Sequence, residues 1–201
     1  MGLHTDYLGH ARITPALNAD EVEFLRSFNE TRHCGDRSPL DVVQHPADNE
    51  PTGDVDAHNL PAVGRPGLWC PWTCCGTGCC LHWDGLEKPY APQEWLRFLI
   101  DTFLRPSAAL ANDPQAQRLG LTFDHLLDGM LVGQRQETGE LFALVVRKNV
   151  VQRRVLVPGA EGTDDWGYRS PEWEHESRQD RIEARRRRFE DAIAADLARA
   201  G

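Results

Sequence analysis

The sequence predicts an α+β fold: an antiparallel sheet with two helices packed on one face, in a split βαβ or ferredoxin-like arrangement extended by a hairpin and followed by a C-terminal helical tail. Three observations carry this. Two helical segments of strong apolar character interrupt short alternating segments in the order strand, helix, strand, strand, helix, strand. Turn dipeptides, Thr138-Gly139 and Lys148-Asn149, separate the last of these strands from two further apolar runs that form the added hairpin. The 201 residues suffice for one core, over residues 1–157, and hardly for two.

The first strand is read over residues 6–14, DYLGHARIT, on its loose alternation. The helix that follows has the best-marked start in the chain. Asn18 accepts from the orphan amides, Glu21 reaches back, and Leu17 and Val22 hold the two positions of a hydrophobic staple. Val22, Phe24, Leu25 and Phe28 then form one apolar stripe.

From 33 to 66 the chain carries five prolines, many Asp and Asn, and no hydrophobic period, which reads as a loop or disordered insertion. Strands at 68–73 and 80–84 form a hairpin around Gly76-Thr77-Gly78. Pro92 opens a second helix, stopped by Pro106, whose run Trp95, Leu96, Phe98, Leu99, Ile100, Phe103 and Leu104 leaves little polar surface and predicts the central buried helix. Strands follow at 126–136, 140–148 and 150–157. A Gly- and Asp-rich linker over 158–170 leads to a charged amphipathic helix at 171–199, whose thin stripe is Ile182, Phe189, Ile193 and Leu197.

Apolar residues make up 40% and charged residues 26%, values for a folded domain with polar linkers or tails. A net charge of -9 disfavours nucleic acid and anionic membranes, because the summed field repels phosphate. The N-terminus carries no signal-peptide run and no stretch approaches a membrane span, so a cytoplasmic location is expected. There, cysteines point to metal or packing rather than structural disulfides.

The segment WCPWTCCGTGCCLHWDG, residues 69–85, holds five of the six cysteines. A three-residue loop pairs Cys75 with Cys79, Cys74 with Cys80 and Trp72 with His82, so Cys74, Cys80 and His82 share one face and offer three zinc ligands. Cys70, Cys34 or His33 would be the fourth. The crowded C-x3-C-C-x3-C-C spacing differs from paired zinc knuckles, and two other readings stand beside it: cysteines packed as small hydrophobes, and thiol redox chemistry without a C-x-x-C motif.

Asp84, Glu87 and Lys88, with His82 or His125, are candidates for acid/base chemistry. Equally, Asp-Gly is a turn dipeptide and a Glu-Lys pair orders loops. Trp69, Trp72, Trp83 and Tyr90 either build a ligand surface or anchor the core. Arg185, Arg186, Arg187 and Arg188 make a basic band that meets an acidic partner or simply faces water in i,i+4 pairs.

Leu68-Trp69-Cys70-x-Trp72, Leu81-x-Trp83-Asp84-Gly85-x-Glu87-Lys88-x-Tyr90 and Trp95-Leu96-x-x-Leu99-Ile100-x-x-Phe103-Leu104 are the most distinctive stretches. With Met1-Gly2-x-x-Thr5-x-Tyr7 and Val145-Val146-x-x-Asn149-x-Val151, they resemble a family of small uncharacterised proteins of actinobacteria and their phages. The likeness spans roughly residues 1–157; it implies a bacterial or phage source and a shared shape, and no reaction. The cysteine-rich tip stands where that family has a polar turn, and the tail is additional. The expectation is therefore a non-enzymatic partner- or ligand-binding module, with a protein partner met through the C-terminal helix. The alternative is a zinc enzyme using the Cys/His hairpin with Asp84 and Glu87.

Overall fold

A computed structural model describes residues 4–43, 45–49, 58–86 and 88–159. The expected linker beyond Gly159, the helix at 171–199 with Arg185 to Arg188, and Glu87 lie outside the described residues.

Strand β1, Thr5–Thr14, alternates as its sequence predicts: Tyr7, Ala11 and Ile13 are buried while Leu8 is 78% exposed. It is central in a six-stranded antiparallel sheet of order β2-β3-β1-β4-β5-β6, where β2 is Trp72–Cys74, β3 Cys80–Trp83, β4 Leu126–Arg135, β5 Leu141–Arg147 and β6 Val150–Val157. The turn between β5 and β6 places Lys148 at φ 47 and Asn149 at φ 69, the left-handed pair that a two-residue hairpin turn needs.

Helix α1, Ala19–Glu30, begins with the reciprocal cap read from the sequence: the Asn18 side chain accepts from the Glu21 amide at 3.0 Å, and Glu21 Oε2 accepts from the Asn18 amide at 2.8 Å. Helix α2, Pro92–Leu99, runs into a π-helical turn at Ile100–Leu104. Their apolar faces meet one face of the sheet in a single cluster. Phe24, Leu25 and Phe28 from α1 and Trp95, Leu96, Leu99, Ile100, Phe103 and Leu104 from α2 and its extension pack with Tyr7, Leu81, Leu127, Leu131, Phe142 and Leu144. A short helix α3, Pro114–Arg118, capped by Asp113, lies between α2 and β4. The opposite sheet face stays open among the described residues, with Met130 and Val150 at least half exposed.

The described part of 33–66 is irregular chain anchored to the domain, with a 3-10 turn at Pro46–Asn49. Leu40, Val43 and Ala62 are buried, and the Ala62 amide donates to the His33 carbonyl at 2.9 Å. Asn49 clamps the end of α1, donating to the Glu30 carbonyl at 2.8 Å and accepting from the Arg32 amide at 2.6 Å.

Two corrections concern the hairpin. Its first strand covers only residues 72–74, since Pro71 has no amide to give a ladder. The register also differs by one residue: Trp72 pairs with Trp83, Thr73 with His82 and Cys74 with Leu81, and the Cys75 amide donates to the Cys80 carbonyl at 3.1 Å, closing a four-residue loop. The core decides this. Leu81 is 1% exposed, and only this pairing lets Leu81, Trp83, Trp72 and Cys74 share the inner face; the expected one puts either Leu81 or Trp72 in water.

Candidate functional site: a thiol tip and an apolar cleft

The register divides the cysteines. Cys74 points inward, its thiol 3.6 Å from the Val22 carbonyl, and burial pushes its pKa up. Cys70 is also buried, donating to the Trp72 carbonyl at 3.5 Å, with its pKa raised by desolvation. Cys80 and His82 lie on the outer face, so the expected site of Cys74, Cys80 and His82 with Cys70 is not assembled. Nor do His33 and Cys34 reach the tip. His33 is packed between the rings of Phe28 and Trp95, centroids 4.2 and 5.0 Å away, and burial, with Arg65 adding to it, holds its pKa at about 3. Cys34 faces His58, with 3.7 Å between Sγ and Nδ1.

A different group forms instead. Cys75 and Cys80 flank the loop on one side, Cys79 lies within it, and their three sulfurs all lie within 4.8 Å of one another, an arrangement able to hold a metal ion. Cys75 and Cys79 sulfurs are 3.4 Å apart, and the Thr77 hydroxyl is 3.4 Å from one and 3.3 Å from the other. Hydrogen bonding from Thr77, opposed by slight desolvation and assisted by the neighbouring thiols, brings Cys75 down to about 5. Cys80 is pushed up to about 12 by burial and by Cys75, so the negative charge rests on Cys75. The tip is held in place from outside: the Ile13 amide donates to the Cys79 carbonyl at 2.8 Å and the Leu17 amide to the Gly78 carbonyl at 3.0 Å.

The four candidate binding aromatics separate into two pairs. Trp72 is 1% exposed, its indole donating to the Pro92 carbonyl at 2.7 Å, and Trp83 meets Tyr7 edge-on in the core rim. Trp69 and Tyr90, by contrast, line a cleft of about 530 Å³ with Pro61, Pro66, Leu68 and Leu86. Its walls are mainly apolar, and among the described residues Lys88 is the charged one that lines it. Arg32 lies over the Trp69 ring, 5.5 Å from its centroid. Tyr90 is 64% exposed and also borders a smaller, more polar cleft of about 370 Å³ that includes Tyr7, Arg135 and Arg153.

Of the acid/base candidates, Asp84, Lys88, His82 and His125 are among the described residues and Glu87 is not. Asp84 accepts from the Asn29 amide group at 2.7 Å and from the Leu86 amide at 2.8 Å, which shapes the loop into an Asx turn. Lys88 belongs to the cleft. His125, buried at the entry to β4, meets Glu21 and Thr122: its Nε2 is 3.0 Å from Glu21 Oε1 and 3.2 Å from Thr122 Oγ1, while Nδ1 is 2.8 Å from the Pro15 carbonyl. Thr122 and Glu21 address the same nitrogen, and the other nitrogen must donate to a carbonyl. The ring therefore has no free lone pair to take a proton from Thr122 when Glu21 is ionised, and the group is a lock rather than a nucleophile relay. Sequence reading missed this pairing because only Glu21's local role in the cap is visible in i,i+3 spacing.

Among the described residues no helix is long and apolar enough to cross a membrane. Comparison with protein-family models, with curated proteins and with solved structures gives no match.

Proposed function

We propose that this protein is a non-enzymatic binding module whose cleft between Trp69 and Tyr90 takes an extended, proline-containing segment of a protein partner. One observation carries the reading: two aromatic side chains and two prolines line an open apolar groove in which Lys88 is the one charged lining residue among the described residues. Aromatic-lined grooves of this kind suit a polyproline segment, which is already extended and loses little entropy on docking. Lys88, with Arg32 above Trp69, favours a partner segment carrying a carboxylate beside the proline.

The strand order β2-β3-β1-β4, with α1 between β1 and β2 and α2 between β3 and β4, supports a split βαβ scaffold to which β5 and β6 add a hairpin. On such a scaffold the cleft is built by loops, where binding residues commonly reside.

The test is a titration of the full-length protein with synthetic proline-containing peptides, with and without a glutamate next to the proline, followed by heteronuclear NMR. Amide shifts should concentrate at Leu68, Trp69, Leu86 and Tyr90, and the glutamate peptides should bind more tightly. If no peptide moves these resonances, the reading fails.

A further inference from the structure

We infer that the hairpin tip is an open-sided zinc site in which Cys75, Cys79 and Cys80 supply three sulfur ligands and the fourth position faces solvent. This inference rests on the tip and is independent of the cleft.

The geometry is close to that of a formed site. Three sulfurs bound at ~2.3 Å to one tetrahedral ion stand about 3.8 Å apart. Here they already lie within 4.8 Å of one another, with Cys75 and Cys79 at 3.4 Å. Shifts of a few tenths of an ångström to about one ångström, well within side-chain rotation, bring them into the coordination sphere.

Preorganisation comes from the backbone. Cys80 begins β3 and pairs with Arg12 on β1, Cys75 is tied to Cys80 by a backbone hydrogen bond, and the loop between them is held by the Ile13 and Leu17 amides. Gly78 is essential to that seat: its φ is +68, and a Cβ there would stand 2.7 Å from the Leu17 carbonyl oxygen. A tip fixed in this way loses little freedom when an ion binds.

Charge is matched as well. Three thiolates and a divalent ion leave one net negative charge. Arg12 stands directly across from Cys80, and the Arg26 guanidinium lies 3.6 Å from where a Cβ would stand on Gly76. The Arg26 guanidinium beside the loop opposes that residual charge.

Among the described residues no fourth His, Cys, Asp or Glu joins the three sulfurs within that 4.8 Å limit. His82, on the same sheet face as Cys80, turns its Nδ1 to the Trp83 carbonyl at 2.8 Å. Structural zinc sites are closed by four protein ligands, whereas a site with three protein ligands keeps an exchangeable position. The fourth ligand is then water or a donor from a second molecule.

The probe is cobalt(II), added to the full-length protein under a phosphine reductant, with zinc then used to displace it. The expected result is one ion per chain, with sulfur-to-cobalt charge-transfer absorption that zinc abolishes. Cys79→Ser, at an exposed position, and Cys75→Ser should each weaken cobalt binding by about a hundredfold or more, since even groups that only orient ligands are worth ten- to a hundredfold. Cys34→Ser and His82→Ala should leave it unchanged. Circular dichroism of each variant confirms that it is folded. Absent charge-transfer absorption, or absorption that survives Cys75→Ser and Cys79→Ser combined, overturns the assignment; loss of binding in His82→Ala also overturns it, since the ligand set would then be another.

Discussion

Glu21 and His125 meet in the interior, Oε1 to Nε2 at 3.0 Å, with side chains 3% and 1% exposed, and so join the first turn of α1 to the entry of β4. The same carboxylate closes the helix cap on Asn18 and accepts from the Thr122 amide at 2.8 Å. Burial works against its ionised form, but the hydrogen bonds from His125, Thr122 and Asn18 outweigh that and hold its pKa at about 2. Burial likewise opposes the His125 imidazolium, and Glu21 and the Pro15 carbonyl overcome it, raising the His125 pKa.

A pH profile follows with its sign. The Glu21 contribution is full above its ordinary value of 4.5 and is lost as pH falls toward about 2. The His125 contribution is full below 6.5 and is lost as pH rises through its raised value. Stability from the pair should therefore peak between these two ordinary values. Glu21→Gln should cost about 3 kcal/mol near that maximum, because it leaves a buried imidazolium without its counter-charge, and should flatten both flanks. Urea unfolding midpoints of the two proteins across pH measure this; parallel profiles would count against the pair.

What the chain discloses on its own depends on the range of the interaction. The Asn18–Glu21 cap is legible because both halves lie within one turn, and the burial of α2 because its apolar residues surround the helix. Glu21's second partner is 104 residues away and has no local signature. The hairpin shows the same limit more sharply. Glycines at 76 and 78 locate the turn, but a loop of three residues and one of four suit them equally, and burial of Leu81 and Trp83 against the rest of the sheet decides. Similarly, Trp69, Trp72, Trp83 and Tyr90 are alike in sequence, and only the packed sheet separates core rings from cleft rings.

Gly78→Ala should loosen the tip. A Cβ at φ +68 is strained and meets the Leu17 carbonyl oxygen, and shifting the Leu17 backbone to make room disturbs the 3.0 Å bond that its amide donates to the Gly78 carbonyl. A loss of about 1–3 kcal/mol is expected. Hydrogen exchange at the Ile13 and Leu17 amides, which donate to Cys79 and Gly78, should accelerate more than at Leu131 in the sheet centre; equal acceleration would indicate a global effect instead.

Tyr90→Ala removes a ring that is 64% exposed, so the melting temperature should change little. Binding of an acidic proline-containing peptide should nevertheless fall by about tenfold or more, the loss of one aromatic wall. Lys88→Glu should discriminate further, weakening the acidic peptide in a salt-dependent manner while sparing a neutral one. Calorimetric titrations at two salt concentrations separate these effects.

Thiol accessibility reads the hairpin register directly. In the three-residue-loop pairing, Cys74 and Cys80 share a face and should react together with an alkylating reagent. In the observed pairing Cys74 packs beneath the sheet, 2% exposed, while Cys79 is exposed and Cys75 and Cys80 are partly so. Native protein treated with iodoacetamide and digested for mass spectrometry should therefore carry label first at Cys79 and Cys75, then at Cys80, whereas Cys70 and Cys74 should label only after denaturation, because a buried thiol is both shielded and held protonated. Zinc added before the reagent should protect Cys75, Cys79 and Cys80 together and leave the buried pair as before. Labelling of Cys74 at the rate of Cys80 would mean that the strand has slipped by one residue, which would turn Trp72 to the outer face with Cys74 and dismantle the three-sulfur group in the same step.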